Sequence, residues 1–145
     1  MHFTDYHAKY FAYELTKKCS SDSIEKLAST LADAQVEPKP HQIDAALFAF
    51  KSPLSKGAIL ADEVGLGKTI EAGIVISQKW AERKKRLLII VPSTLRKQWH
   101  QELLEKFFLS SIIMESKSFN NYLKQGIFNP FSQDGIIISS YNFVM

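Results

Sequence analysis

Residues 58–70 read Ala58-Ile59-Leu60-Ala61-Asp62-Glu63-Val64-Gly65-Leu66-Gly67-Lys68-Thr69-Ile70, a short apolar run that passes through two glycines into a stretch with helical spacing. Ala58 to Ala61 predicts a buried strand, and Lys68 to about Arg83 predicts a helix. Gly65 and Gly67 permit backbone angles and a close approach that a side chain would block. A strand, a glycine loop and a helix in this order turn amide N–H groups and a new helix N-terminus toward one point, which suits a polyphosphate. Lys68 then supplies a positive charge to the β- and γ-phosphates, and the Thr69 hydroxyl can ligate Mg²⁺. The strict P-loop pattern has a glycine where this chain has Asp62, so the match is Gly-x-Gly-Lys-Thr in its strand–loop–helix setting. The plain alternative is a glycine-rich turn with a solvated lysine. The patterns on either side of the loop count against it.

Downstream, Leu87 to Val91 is a continuous apolar run that stops at Pro92 and precedes a helix ending near Phe108. Ser111 to Glu115 is a weaker strand candidate and Ile136 to Ser139 a stronger one. Continuously apolar strands separated by helices imply an α/β fold, with a parallel sheet covered on both faces. Upstream, Pro40 suits the first turn of a helix carrying Ile43, Ala46, Leu47 and Phe50, followed by a turn from Ser52 to Gly57. Pro38 and Pro40 interrupt any helix running through them, dividing the chain into residues 1–37 and 38–145. Residues 1–37 read as a helical hairpin that packs on something else. Phe3 to Lys18 places Tyr6, Tyr10, Phe11 and Leu15 on one side. Asp22 and Glu25 form a capping box, followed by Ile24, Leu27, Ala28, Leu31 and Ala34 on one apolar face. A protein partner is the expected use of these helices.

The 145 residues are 46% hydrophobic and 23% charged, enough to bury a core and too apolar to stay disordered. No apolar run approaches the ~20 residues of a membrane helix. The N-terminus has neither the basic start nor the apolar stretch of a secretory signal. A lone Cys19 makes no internal disulfide, so the cytoplasm is the expected compartment. The net charge of +3 predicts no partner, but Lys79 to Lys106 holds eight Lys or Arg against three Glu. That local excess can attract phosphates, or can be a solvated helix end and loop.

Ala61 to Gly73 resembles motif I of the Swi2/Snf2 ATPases of helicase superfamily 2. The Asp-Glu-Val form followed by Glu71-Ala72-Gly73 is most similar to the bacterial RapA-like branch. Pro40-His41-Gln42 resembles the Q motif. Val91-Pro92-Ser93-Thr94-Leu95 with Gln98-Trp99 resembles motif Ia, and Ile138-Ser139-Ser140-Tyr141 resembles the next strand-end motif. The resemblance spans about Pro38 to Met145. It implies part of a RecA-like lobe and accounts for Asp62, because the family uses Asp-Glu at that place. It further implies ATP and Mg²⁺ as cofactors, held by Gln42 and by Asp62, Glu63, Val64, Gly65, Leu66, Gly67, Lys68, Thr69 and Ile70. Lys68 and Thr69 act on the phosphates. The Gln42 amide pairs a donor with an acceptor and suits an adenine edge; His41 reads as a helix-surface residue.

Ser93 and Thr94 begin a helix after a strand. That placement fits contact with a nucleic-acid backbone and equally fits ordinary N-capping. Ser139 and Ser140 fall at a strand's C-terminal end, where α/β sheets place ligands, and the resemblance gives them a nucleic-acid role. Trp80 and Trp99 read as core residues. The implied partner is DNA, as a duplex, or RNA. The family also carries an acidic Walker B motif and a second RecA-like lobe. No Asp-Glu pair follows an apolar strand after Lys68, so the chain is expected to be a truncated piece that binds nucleotide without efficient turnover. Two other readings stay open: a small P-loop phosphotransferase, and a non-catalytic module that binds nucleic acid or a partner.

Overall fold

Three strands, β1 (Arg86–Val91), β2 (Ser111–Ile113) and β3 (Gly135–Ser140), pair in parallel in the order β1-β3-β2. The computed structural model in which they lie describes residues 4–16, 23–31, 34–51, 57–61, 65 and 67–145. The central strand, with the isoleucines 136–138, aligns Leu88 with Ile137 and Ile90 with Ser139 on one side, and Ile112 with Ile137 on the other. Parallel neighbours need long crossovers, and helices supply them: α5 (Arg96–Phe107) from β1 to β2 and α6 (Ser116–Lys124) from β2 to β3.

Side chains alternate across a strand, so Leu87, Ile89 and Val91 share a face with Ile136 and Ile138. That face joins the main core with Ile74 of α4 (Lys68–Ala81) and with Leu103 and Phe107 of α5. Trp80 and Trp99 pack against this core, as their sequence setting predicts. On the other face, Phe119 of α6, Phe131 in a 3₁₀ turn at Pro130–Ser132 and Phe143 of α7 (Tyr141–Val144) form a ring cluster, with centroids 5.8 to 6.3 Å apart. The cover ends before β1, where Leu88 and Ile90 remain 50% and 39% exposed. The expectation of a sheet covered on both faces therefore holds for β3 and not for β1.

The helix α3 (Pro40–Lys51) begins at its proline and buries Ala46 and Leu47 beside α4. The helix α2 (Ile24–Leu31) reaches the same core through Leu27, and the Gln35 N–H donates to the Lys106 carbonyl at 2.9 Å. The helix α1 (Asp5–Thr16) forms, and its Tyr6, Tyr10 and Phe11 remain at least half exposed.

The expected strand at 58–61 is not formed, and Ile59 is 88% exposed. An extended apolar run becomes a strand only where a neighbour supplies the ladder. Among the described residues no strand lies beside it. The capping residue Asp22, Cys19, residues 52–56 and the loop positions Asp62, Glu63, Val64 and Leu66 fall outside the described residues, as do the side chains of Leu15 and Ile24. Among the described residues no helix is long and apolar enough to cross a membrane.

Candidate nucleotide and nucleic-acid site

The phosphate loop enters α4 through two glycines in the left-handed region, Gly65 at φ 95° and Gly67 at φ 91°. Either angle would strain any other residue. A second constraint falls on Gly67. A Cβ there would stand 2.5 Å from Nε2 of Gln42, so α3 and the loop approach more closely than a side chain allows. The Gly67 carbonyl accepts the N–H groups of Ile70 and Glu71, at 2.7 and 3.2 Å. The helical ladder thus begins at Ile70. The N–H groups of Lys68 and Thr69 precede it, at the positive end of the helix dipole.

Gln42 is buried, although its sequence setting alone suggests a solvent-facing residue. Its Oε1 accepts the Lys39 N–H at 3.0 Å, and its Nε2 lies against the loop. Those contacts pin the start of α3 to the phosphate loop. The donors fit a triphosphate with its Mg²⁺. Left-handed glycines open the backbone, a helix N-terminus follows, and Lys68 and Thr69 are the first residues of that helix. Lys68 would offer its charge to the phosphates and Thr69 its hydroxyl to the metal, whose charge would help to neutralise them. His41 lies exposed on α3 and lines a cavity of about 380 Å³ with Asp44, Phe48 and Ile59.

The second group of expected residues collects at the C-terminal ends of the strands. Ser93 and Thr94 are exposed in a 3₁₀ turn after Pro92, and neither caps α5, whose N-cap is Leu95 with no side-chain bond. Ordinary N-capping does not explain them. Ser140 lines a cavity of about 350 Å³ together with Arg96, Glu115, Lys117 and Asn142. Ser139, expected at a nucleic-acid backbone, is fully buried, and its hydroxyl donates to the Met114 carbonyl at 3.1 Å. Alternation on β3 turns it away from Ser140. Ser139→Ala is therefore expected to lower stability by about 1–2 kcal/mol through the lost buried bond. An unchanged denaturant midpoint would count against that role. Arg96, Lys117 and Asn142 are absent from the expected site. Arg96 lies within the basic stretch seen in the sequence, whereas nothing local marks Lys117 or Asn142.

The family model described as SNF2-related domain matches residues 10–145. The chain belongs to the SNF2-related domain family. Within curated SNF2-related relatives, it is 41% identical over 106 residues to the RNA polymerase-associated protein RapA of Haemophilus influenzae (strain ATCC 51907 / DSM 11121 / KW20 / Rd), covering 72% of this chain and 11% of that protein. It is 37% identical over 129 residues to the protein of the same name from Proteus mirabilis (strain HI4320), covering 88% and 13%. The chain thus spans 11 to 13% of the length of these relatives. Among solved structures it is similar to the Sulfolobus solfataricus SWI2/SNF2 ATPase core in complex with dsDNA. The TM-score is 0.61 at 26% identity, over 76% of this chain and 22% of that one. The SNF2-related fold here is a partial RecA-like lobe, its parallel sheet flanked by helices.

Proposed function

We propose that this chain is the ATP-binding segment of a nucleic-acid-dependent ATPase, a Snf2/RapA-like translocase or helicase-like remodeller. The observation that carries the reading is the contact of Gln42 with the phosphate loop. The Gln42 amide lies against the left-handed Gly67 that opens α4, which supports reading the expected base-side and phosphate-side residues as one site. Mg-ATP sits with its phosphates at Gly65–Thr69 and its adenine near Gln42, and Thr69 takes the Mg²⁺. Ser93, Thr94 and Ser140, at the far ends of β1 and β3, meet a nucleic-acid backbone. Duplex DNA is the expected partner. The DNA complex of the Sulfolobus protein supports that choice, and the name of the RapA relatives adds RNA polymerase as a candidate associate. Attack of water on the γ-phosphate further needs an acidic residue and a second lobe to complete the charge stabilisation. The cytoplasm is the compartment these partners require.

Titration calorimetry with Mg-ATP tests the reading. Saturable binding of one nucleotide per chain, weakened when EDTA removes the metal, is the expected result. A folded chain that takes up neither Mg-ATP nor Mg-ADP overturns it.

A further inference from the structure

Arg96 is the first residue of α5 and faces the cavity at the strand ends. Its Nε donates to the Ser93 carbonyl at 3.1 Å, and its Nη1 donates to Oε2 of Glu115 at 3.3 Å. The first bond ties the guanidinium to the turn that holds Ser93 and Thr94. The second reaches across the mouth of the cavity to the residue that follows β2 and Met114. Glu115 is the N-cap residue of α6, where a carboxylate is favoured by the dipole and by the first N–H groups. Yet its side chain makes no capping bond there. It reaches to Arg96 instead. Lys117, Ser116 and Ser140 line the same cavity, so two cations and two serines surround a place where one carboxylate is the only anion among the lining residues.

A guanidinium meets a carboxylate and a phosphodiester in the same way, through N–H groups aimed at anionic oxygens. The distance of 3.3 Å is longer than the ~2.7–2.9 Å of a strong charge-assisted bond. Glu115 is also 47% exposed, so the pair is one that water and salt weaken. It is held firmly enough to set the guanidinium in place and loosely enough to be exchanged.

Building on the reading that this chain engages nucleic acid, we propose that Glu115 is a built-in competitor for a backbone phosphodiester at Arg96. Without nucleic acid, Glu115 holds the guanidinium oriented over the cavity. A phosphodiester displaces the carboxylate into solvent and is then bound by Arg96, Lys117 and the Ser140 hydroxyl. Nucleic-acid affinity is thereby reduced by the cost of breaking an internal pair, and Glu115 sets that reduction.

The test is fluorescence anisotropy of a labelled duplex of about 20 base pairs, titrated with the full chain at two salt concentrations. Glu115→Gln is expected to tighten binding about 3- to 5-fold, the range over which a partly exposed ion pair acts. Arg96→Ala is expected to weaken it about 10-fold and to lower the salt slope by about 1. The deciding measurement is the double variant. In the Arg96→Ala background, Glu115→Gln should change affinity by less than about 1.5-fold, because interacting residues are non-additive. Glu105→Gln, which removes the same charge from the exposed side of α5, should have a smaller effect than Glu115→Gln. Equal gains from Glu115→Gln with and without Arg96, or from either glutamate, would reduce the effect to net charge and overturn the competition. So would weaker binding by Glu115→Gln. Lys117→Ala guards against a variant that fails to fold, because it truncates an exposed side chain; unchanged affinity there overturns the phosphate seat. If neither the wild-type chain nor Glu115→Gln binds the duplex, the nucleic-acid reading itself has failed, an outcome distinct from binding without coupling.

Discussion

Replacing Lys68 by alanine is expected to weaken Mg-ATP binding about 10- to 100-fold while leaving the fold in place. Lys68 is the first residue of α4, at the positive end of the helix dipole, where a cation is disfavoured by about 0.3–1 kcal/mol. The helix dipole gains nothing from a lysine there, and alanine is the better helix former. A polyphosphate does gain from it. A hydrogen bond to a charged group contributes about 1.5–3 kcal/mol, and each 1.4 kcal/mol is about tenfold in affinity. Calorimetry and a thermal melt of the same sample separate the possibilities. Lost binding with an unshifted melt is the expected pair of results. Wild-type affinity in the variant would remove Lys68 from the site. Loss of binding together with early melting would make Lys68 a structural residue and leave the phosphate assignment without its main support.

The parts of this site that were legible in the sequence are those whose chemistry is local. Gly67 could be read because a left-handed turn before a helix demands glycine wherever it occurs, and the observed φ of 91° meets that demand. Lys68 and Thr69 follow it by spacing alone. Pro40, Val91-Pro92 and the isoleucines of β3 were equally readable, since each marks its own element boundary or burial. The run 58–61 was misread because a strand is not a local object. Its apolar residues satisfy the pattern, but the ladder must come from a neighbour, and the described sheet ends at β1. The burial of Gln42 was illegible for the same reason, because it depends on the docking of α3 against a loop far along the chain. Ser139 and Ser140 differ only in which side of β3 they face. A strand-end motif names both, and both are buried; alternation aims the first at the Met114 carbonyl, while the second, 7% exposed, lines the cavity. The helix α6 does carry a local signal, since Phe119, Tyr122 and Leu123 stand at helical spacing, but nothing local says which part of the sheet it covers. Its place is set by the Phe119, Phe131 and Phe143 rings, which meet only after the fold has formed.

Gly73→Val is expected to be the most destabilising single substitution outside the strands. Glycine inside a helix is unfavourable by about 0.5–1 kcal/mol relative to alanine, so its presence in the second turn of α4 calls for a packing reason. The Phe107 ring supplies one. A Cβ on Gly73 would overlap Cε2 of that ring and stand 2.5 Å from Cζ, and both residues are buried. This contact sets how closely α4 and α5 approach. Those helices begin at Lys68 and Arg96, so the same contact helps fix the proposed nucleotide end of the site relative to the proposed nucleic-acid end. Overpacking of this kind costs about 1–3 kcal/mol, and a β-branched side chain against an aromatic ring belongs at the upper end. At this chain length, that lowers the melting temperature by roughly 5–10 °C. Circular dichroism on heating measures it, and Phe107→Ala provides the internal check. Phe107→Ala alone leaves a cavity and destabilises, but in the Gly73→Val background it makes room for the new methyl groups. The double variant should therefore melt above the sum of the two losses. Additive losses would mean that the valine is accommodated elsewhere, and that the spacing of α4 and α5 is set by contacts other than Gly73 on Phe107.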